Sequence, residues 1–497
     1  MNIPIESLTP LPFDNSYARL PDKFYQRLDP TPVAAPKLIR LNEPLARELG
    51  LDPAWLASSE GVAMLAGNAV APGSTPIAMA YAGHQFGNFV PQLGDGRAIL
   101  LGEVIDRDGV RRDIQLKGSG PTRFSRQGDG RAALGPVLRE YIVSEFMAAV
   151  GIPTTRSLAA VASGETVWRE TGLPGAVLTR VAASHVRIGT FQFFAARRDL
   201  ESLRHLADYV IARHYPESAQ AANPYRVLLD QVVARQAELI AQWLLVGFIH
   251  GVMNTDNMSV AGETIDYGPC AFMDAYHPST VFSSIDQGGR YAFGNQPRIA
   301  QWNLARFAET LLPLLAEEED TALKHAQEGI DAFVPKFQAA YAEGLSRKLG
   351  FRQRDPDTLA LAQELLEAMA ANATDYTLVF RRLADAAENP EADIAVQALF
   401  ANPQTYDAWA LKWRQQMASD AIDGKARATA MRALNPLFIP RNHRIEQVIS
   451  AAVAGDFAPF ERLLAVLARP FDDQPDFVEY ANPPQPGEVV QQTFCGT

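Results

Sequence analysis

A polar stretch that follows a long helical pattern constrains this chain more than any other feature. It runs from His250 to Gly268 and reads HGVMNTDNMSVAGETIDYG. An acid and an amide stand side by side at Asp256 and Asn257, and an Asp-Tyr-Gly begins at Asp266. Carboxylate and amide oxygens that lie close together can hold Mg²⁺, which prefers oxygen ligands and is often bound together with phosphates. The stretch therefore indicates a metal and phosphate site on a loop.

The segments before this stretch are patterned mostly as strands, and those after it as helices. From residue 76 to residue 198, β-branched and apolar runs alternate with glycine turns, and one helix starts behind Pro136. Pro224 to Ile249 then carries apolar residues at a helical period and leads into the polar stretch. We expect an α+β fold in which a strand-rich lobe precedes a helical lobe, with the site at their junction.

The length of 497 residues favours several lobes over one simple core. The proline-rich start of the chain shows no chemistry and is interpreted as structural cover. The prolines after Phe471 predict an extended, flexible tail that carries Cys495. The predicted regions are an N-terminal extension (1–75), a strand-rich lobe (76–198), a helical lobe core with the site loops (199–297), a further helical region (298–470) and the tail (471–497).

Composition excludes several classes of protein. The net charge of -12 argues against an extended nucleic-acid surface, which needs a basic face. No apolar run is long enough to span a bilayer, and the N-terminus is patterned as neither a signal nor a transit peptide. With only Cys270 and Cys495, a disulfide-built secreted domain and a cysteine zinc site are both excluded. We expect a cytoplasmic protein that binds neither membrane nor nucleic acid.

Two glycine-containing segments upstream suit phosphate binding. Gly94 and Gly96 in QLGDGRA allow backbone N–H groups to approach a phosphate, and Arg97 adds positive charge, although a plain hairpin turn is equally compatible with the pattern. The later segment GSGPTRFSRQGDGRAA, with Asp129 and Gly130 at its second turn, is longer than a simple connection needs. It is more typical of a functional loop.

Charged residues at strand ends are further candidates. Lys117 ends a strand about twenty residues after the first glycine turn, as a kinase phosphate-binding lysine does. Glu140 and Glu145 on the following helix are its candidate partners, and we favour Glu140 because it lies in the second turn, near the incoming loop. Arg180 and Arg187 suit bidentate phosphate recognition, with two surface arginines as the alternative.

The polar stretch matches part of the protein-kinase pattern. Its seven-position spacing from His250 to Asn257 is that of the HRDxxxxN loop, and Asp-Tyr-Gly stands where kinases have Asp-Phe-Gly. The position of the kinase catalytic aspartate is Val252, which cannot accept a proton. These residues alone leave open an ordinary kinase, a non-catalytic nucleotide-binding pseudokinase scaffold, and a different transferase.

The motifs together resemble those of the selenoprotein O family over nearly the whole chain. They are QLGDGRA, IQLKGSGPTRFSRQGDGRAALGPVLREY, HGVMNTDN, DYGPCAFMDAYHP, PRNHRI and a cysteine two residues from the end. The resemblance implies a protein-kinase-like bilobal fold and transfer of AMP from ATP to Ser, Thr or Tyr hydroxyls of proteins. It also implies a nucleotide orientation flipped relative to kinases. Many members have selenocysteine where this chain has Cys495.

The resemblance also implies a role for each candidate residue. Asp256 is the implied catalytic base, and Asn257 and Asp266 are the implied ligands of Mg²⁺ or Mn²⁺. A separate redox hypothesis pairs Cys270 with Cys495 in a reversible disulfide, and its alternative is one buried and one unreacted thiol. The implied nucleotide-binding residues are Gly94, Gly96, Arg97, Lys117, Glu140, Asp129, Gly130, Arg180, Arg187 and Asp266.

Overall fold

The structure is a computed structural model that describes residues 11–352, 355–419 and 422–494. Within these ranges the fold mixes strands and helices, in agreement with the α+β expectation. The strands are β1 (Tyr25–Arg27), β2 (Lys37–Leu41), β3 (Ile77–Met79), β4 (Gly83–Gln85), β5 (Asn88–Val90), β6 (Ala98–Ile105), β7 (Arg111–Lys117), β8 (Ala132–Ala133), β9 (Arg156–Trp168), β10 (Gly172–Ala182), β11 (Phe248–Ile249) and β12 (Ala271–Phe272).

Several helices begin behind an Asn, Asp or Ser that caps the first turn, as Asn223 does by accepting from the Arg226 N–H at 3.0 Å. The helices are α1 (Glu43–Glu48), α2 (Pro53–Leu56), α3 (Ser59–Leu65), α4 (Leu134–Ala149), α5 (Ile188–Ala195), α6 (Leu200–His214), α7 (Pro224–Leu245), α8 (Gln296–Leu315), α9 (Glu319–Asp331), α10 (Phe333–Lys348), α11 (Pro356–Asn372), α12 (Tyr376–Glu388), α13 (Asp393–Gln397), α14 (Pro403–Ala418), α15 (Gly424–Arg432), α16 (Asn442–Val453) and α17 (Ala458–Leu467).

One antiparallel sheet forms the strand-rich part, in the order β1-β3-β6-β7-β10-β9-β2, with β8 paired to β10. β1 and β2 come from the region predicted as an N-terminal extension. One sheet therefore contains strands from both sides of the expected boundary at residue 75. One glycine among the predicted turns, Gly164, lies inside the single long strand β9 and does not end it. Residues 25–41 thus contribute strands to the sheet, in a region that was expected only to cover it.

The two faces of this sheet pack into different cores because side chains alternate along each strand. Val177 packs into the core that α1 to α3 cover, and its neighbour Leu178 packs into the larger core that contains α4. Lys117 pairs with Leu178 across the β7–β10 ladder, and Arg180 lies two residues further along β10. Both charged side chains therefore point to the face on which α4 lies.

The long helix α7 ends at Leu245, four residues before the predicted end at Ile249. Gly247 follows with φ +73°, in the left-handed region that glycine adopts without a Cβ penalty. β11 then pairs antiparallel with β12, Phe248 opposite Phe272. This short ribbon brackets the polar stretch and fixes both of its ends.

The region after α8 is helical, and residues 471–494, predicted as an extended and flexible tail, include buried residues that contact distant parts of the chain. Ala481 and Thr493 are buried, and Thr493 forms a parallel bridge with Ser283. Its Oγ1 also donates to the Pro269 carbonyl at 2.6 Å. Backbone pairing with a distant segment holds this part of the chain, a contact that local composition does not reveal. Cys495 lies outside the described residues. Among the described helices, none combines the length and apolarity needed to cross a membrane.

Candidate functional site

A cleft with a volume of about 710 Å³ lies between the sheet and the polar stretch. Its walls come from the first glycine turn, the loop after β7, the end of β10, the start of α5 and the polar stretch itself. Glu140 lies behind this wall, against Lys117. The cleft brings together the other predicted residues: Gly94, Gly96, Arg97, Lys117, Asp129, Gly130, Arg180, Arg187, Asp256, Asn257 and Asp266.

A buried group of charges forms one wall of the cleft. The Lys117 ammonium lies 2.5 Å from Oε2 of Glu140, and the Arg180 Nε donates to Oε1 of the same carboxylate. Burial, with the nearby Arg180 charge, lowers the pKa of Lys117 to about 8. For Glu140 burial acts to raise the pKa, but the Arg180 and Lys117 charges outweigh it and the pKa is lowered. Glu145 binds Arg156 instead, so the structure places the favoured glutamate against the lysine.

Asp266 connects this wall to the polar stretch. Its Oδ1 lies 2.6 Å from Nη2 of Arg180, and its Oδ2 accepts a hydrogen bond from Nη1 of Arg187. Burial alone raises a carboxyl pKa, yet the charges of Arg187, Arg180 and Lys117 hold the pKa of Asp266 well below its usual range. Its φ of +61° is left-handed, a strain of about 1–3 kcal/mol that functional sites often contain. Asp266 is therefore a fixed anion among cations.

Asp256 has a different environment although it lies in the same cleft. Its Oδ2 accepts from the Gln85 amide at 3.3 Å, and its Oδ1 has no hydrogen-bond partner among the described residues. Burial raises the pKa of Asp256 to about 6. The backbone carbonyl of Asp256 accepts from Arg187 at 2.7 Å. Such a carboxyl can accept a proton near neutral pH, as a general base must.

The neighbouring amide is oriented by the backbone of its own loop. Nδ2 of Asn257 donates to the carbonyl of Val252 at 2.9 Å, which leaves the amide oxygen available to the cleft. The Val252 side chain also lines the cleft, at the position where a kinase has its aspartate. His250 is fully buried and bonds the Ile265 carbonyl at 2.9 Å, so its role is to support the loop.

The glycines of the two upstream segments are required by close packing. A Cβ on Gly94 would lie 2.4 Å from the Phe124 ring, and one on Gly130 would lie 2.1 Å from the backbone of Gly120. Asp129 faces Arg169, with Oδ2 2.9 Å from the guanidinium, and this contact lowers its pKa. The glycines thus let the loop after β7 fold closely against the first glycine turn at the edge of the cleft.

Sequence reasoning missed two polar groups beside the site, the half-buried Gln85 and the buried Asp95. Gln85, which bonds Asp256, falls in a strand pattern that carries no functional signal. Asp95 lies between the two predicted glycines, and its Oδ2 accepts from the Met79 N–H at 3.1 Å. The acid within GDG was visible in the sequence and signalled a polar residue at a tight turn, but its burial could not be inferred.

The donor set of the cleft fits a Mg²⁺ or Mn²⁺ ion that is shared with a nucleotide. Asn257 offers an amide oxygen and Asp266 a carboxylate on the same cleft. In the part of the chain that the structure describes, no group of three or more His, Cys, Asp or Glu residues could hold a metal by itself. Mg²⁺ typically takes one or two protein oxygens and completes its shell with phosphates and water.

Comparison with known proteins shows what the chain as a whole resembles. A relative in Bradyrhizobium diazoefficiens, named protein nucleotidyltransferase YdiU, is 67% identical over 488 residues, which cover 98% of this chain and 99% of that protein. A protein of the same name in Methylorubrum extorquens is 64% identical over 493 residues, again 98% and 99% of the two chains. The family described as protein adenylyltransferase SelO matches residues 7–468.

These matches show that the chain is an enzyme of the nucleotidyltransferase class. Since the match covers nearly the whole chain, the chain belongs to the SelO family, and the resemblance inferred from its motifs is confirmed.

Proposed function

We propose that this enzyme transfers AMP from ATP to Ser, Thr or Tyr hydroxyls of proteins with the help of Mg²⁺ or Mn²⁺. We further propose a kinase-like bilobal fold with the nucleotide flipped, so that its α-phosphate faces the acceptor. One observation carries the proposal: Lys117, Arg180 and Arg187 meet Asp266 in one cleft, and Asp256 lies in the same cleft with a carboxylate oxygen that has no partner among the described residues.

The reaction needs the acceptor oxygen to attack the α-phosphorus while the bond to the pyrophosphate leaving group breaks. Negative charge then grows on the pyrophosphate, and fixed cations lower the barrier by lying where that charge develops. Lys117, Arg180 and Arg187 supply such cations without mobile side chains, because each is buried. Asp256 takes the proton of the attacking hydroxyl. A metal ion held by Asn257 and Asp266 supplies further charge neutralisation when bound.

An ordinary kinase is the competing transferase, and the site argues against it. The residue at the kinase base position is Val252, which lines the cleft but cannot accept a proton. Asp256 is four residues further along, so the base would act on a differently placed acceptor. Loss of a general base costs about 10² to 10⁴ in rate, so a kinase reaction that lacked one at this position would be slow.

The experiment is intact-mass analysis after incubation with ATP and Mg²⁺, together with transfer from ATP labelled at the α- or the γ-phosphate. We expect a mass gain of one AMP and label from the α-position only. Asp266→Asn and Asp256→Asn are expected to reduce transfer strongly. Asp230→Asn, which alters a half-buried helix pair with Arg226 outside the cleft, serves as the matched control. Label from the γ-position only would establish phosphoryl transfer and refute the proposal.

A further inference from the structure

A two-stranded hairpin covers the proposed base from the outside of the cleft. β4 and β5 are joined by Phe86 and Gly87, with φ values of +51° and +86°, as a tight two-residue hairpin loop requires. The Phe86 N–H donates to the Asn254 side chain at 3.0 Å, and Gln85 donates to Asp256. Phenylalanine rarely adopts this backbone conformation, and here the ring it carries lines the cleft.

Beside the hairpin lies a cluster of arginines around one tryptophan. The guanidinium carbons of Arg290 and Arg306 lie 4.9 Å and 5.2 Å from the centre of the Trp302 ring. Arg298 precedes Trp302 by one helical turn and therefore shares its face of α8. Arg306 pairs with Glu309 at 2.6 Å, whereas in the described ranges no acidic side chain lies within 4.0 Å of the guanidinium of Arg290 or Arg298.

The hairpin and this cluster form one continuous surface. The His84 ring lies 4.9 Å from Phe89 and 5.3 Å from Trp302, and a Cβ on Gly87 would lie 3.6 Å from the Arg290 guanidinium. Phe89 is 41% exposed. Ile285, which lines the cleft in the loop before Arg290, is 53% exposed. Apolar groups and a cation without an acidic partner in the described ranges thus border the opening that leads to the proposed base.

We propose that this surface binds the acceptor as an extended, acidic segment of a protein. The segment places its hydroxyl at Asp256, packs apolar atoms on Phe86 and Ile285, and places a carboxylate near the hydroxyl on Arg290. The inference rests on the proposed function, because it specifies the substrate of the same site.

The positive charge of Arg290 is the reason to expect an acidic acceptor segment. The chain as a whole carries a net charge of -12, so a general surface would repel an acidic segment. Arg290 provides local positive charge beside the opening: its guanidinium is stacked on Trp302, and its Nε has no partner among the described residues. A guanidinium held in this way loses little side-chain freedom when a carboxylate binds, and stacking on an aromatic ring fixes the orientation of its fork.

The test uses two synthetic peptides that contain Ser, Thr and Tyr between alanines and differ only in flanking residues, Glu in one and Lys in the other. Transfer from α-labelled ATP is measured as kcat/KM for each peptide. We expect the wild-type enzyme to prefer the Glu peptide. Arg290→Glu should lower kcat/KM for that peptide about tenfold or more and leave the KM for ATP unchanged, and Arg290→Lys should retain part of the activity.

The matched control is Arg462→Glu, the same charge change at an exposed position of α17 far along the chain. Equal use of the two peptides, or equal effects of the two charge reversals, would overturn the inference while AMP transfer to the enzyme's own hydroxyls still supported the proposed function. If AMP is transferred neither to a peptide nor to the enzyme itself, the proposed function fails and the inference fails with it.

Discussion

Replacement of Glu140 by glutamine tests the buried charge group most directly. The carboxylate is 1% exposed, and its two oxygens contact Lys117 and Arg180. Glutamine keeps the size of the side chain but removes the charge, so two buried cations lose their shared anion. Removing one partner of a buried ion pair typically costs about 3–5 kcal/mol, because the remaining charge stays buried without compensation.

We therefore expect Glu140→Gln to lower the free energy of unfolding by about 3–5 kcal/mol. The same change frees the Lys117 ammonium from its fixed position, and a misplacement of about 1 Å can cost about 100-fold in rate. Urea denaturation and kcat for AMP transfer at saturating ATP measure the two effects. Adding Lys117→Met to the glutamine variant should recover part of the stability and none of the activity.

Glu145 on the same helix provides the control. Its two oxygens accept from Nε and Nη2 of Arg156, both at 2.9 Å, but it lies outside the cleft. Glu145→Gln should therefore reduce stability and leave kcat nearly unchanged. An equal loss of kcat in the two glutamine variants would refute this reasoning, because the loss would then follow from a weakened helix rather than from the lysine position.

Three further predictions concern other charged or reactive groups. Because arginines hold both oxygens of Asp266, Mn²⁺ should bind the free enzyme weakly, and a non-hydrolysable ATP analogue should raise its affinity at least about tenfold, as measured by calorimetry or electron paramagnetic resonance. Burial lowers the pKa of Lys348 from 10.5 to about 7, so this lysine destabilises the fold fully below pH 7 and progressively less as the pH rises toward 10.5. Lys348→Met should therefore unfold at a higher urea concentration than the parent at pH 7. We expect its free energy of unfolding to be about 3 kcal/mol higher, after allowance for the lost contact with Phe380, and we expect this difference to disappear near pH 10. Lys412→Met, at an exposed position, should show no such difference. Cys270 is fully buried with its thiol pKa raised by burial to about 12, so iodoacetamide should label it only after denaturation. Peptide mapping distinguishes this site from Cys495, and rapid labelling of Cys270 in the reduced native enzyme would contradict this burial.

The parts of the site that sequence reasoning found share a property: each lies within a local pattern. Asp256, Asn257 and Asp266 come from one loop, and Glu140 was preferred over Glu145 from its position in a single helix. The helix behind Pro136 and the strand end at Lys117 were enough to pair Lys117 with Glu140, whereas the contact of Arg180 with the same glutamate was not predicted.

The parts that were missed depend on pairing between distant segments. β1 and β2 join the sheet through partners that lie far along the chain, and their own sequences carry no strong strand signal. The tail was expected to be flexible because its prolines are visible, whereas the bridge between Thr493 and Ser283 is not. Gln85 reaches Asp256 across 171 positions of sequence.

Val252 shows why the missing kinase aspartate need not signal a lost activity. Its carbonyl orients Asn257, so the backbone at this position serves the proposed metal site whatever the side chain is. The proton acceptor can then come from Asp256, whose buried carboxyl has a raised pKa and one oxygen without a partner in the part of the chain that the structure describes, while an exposed aspartate would be a weaker base. Moving the base by four residues also moves the acceptor relative to the fixed cations. A different phosphorus atom of the nucleotide can therefore meet the hydroxyl without any change in how Lys117 and Arg180 are held.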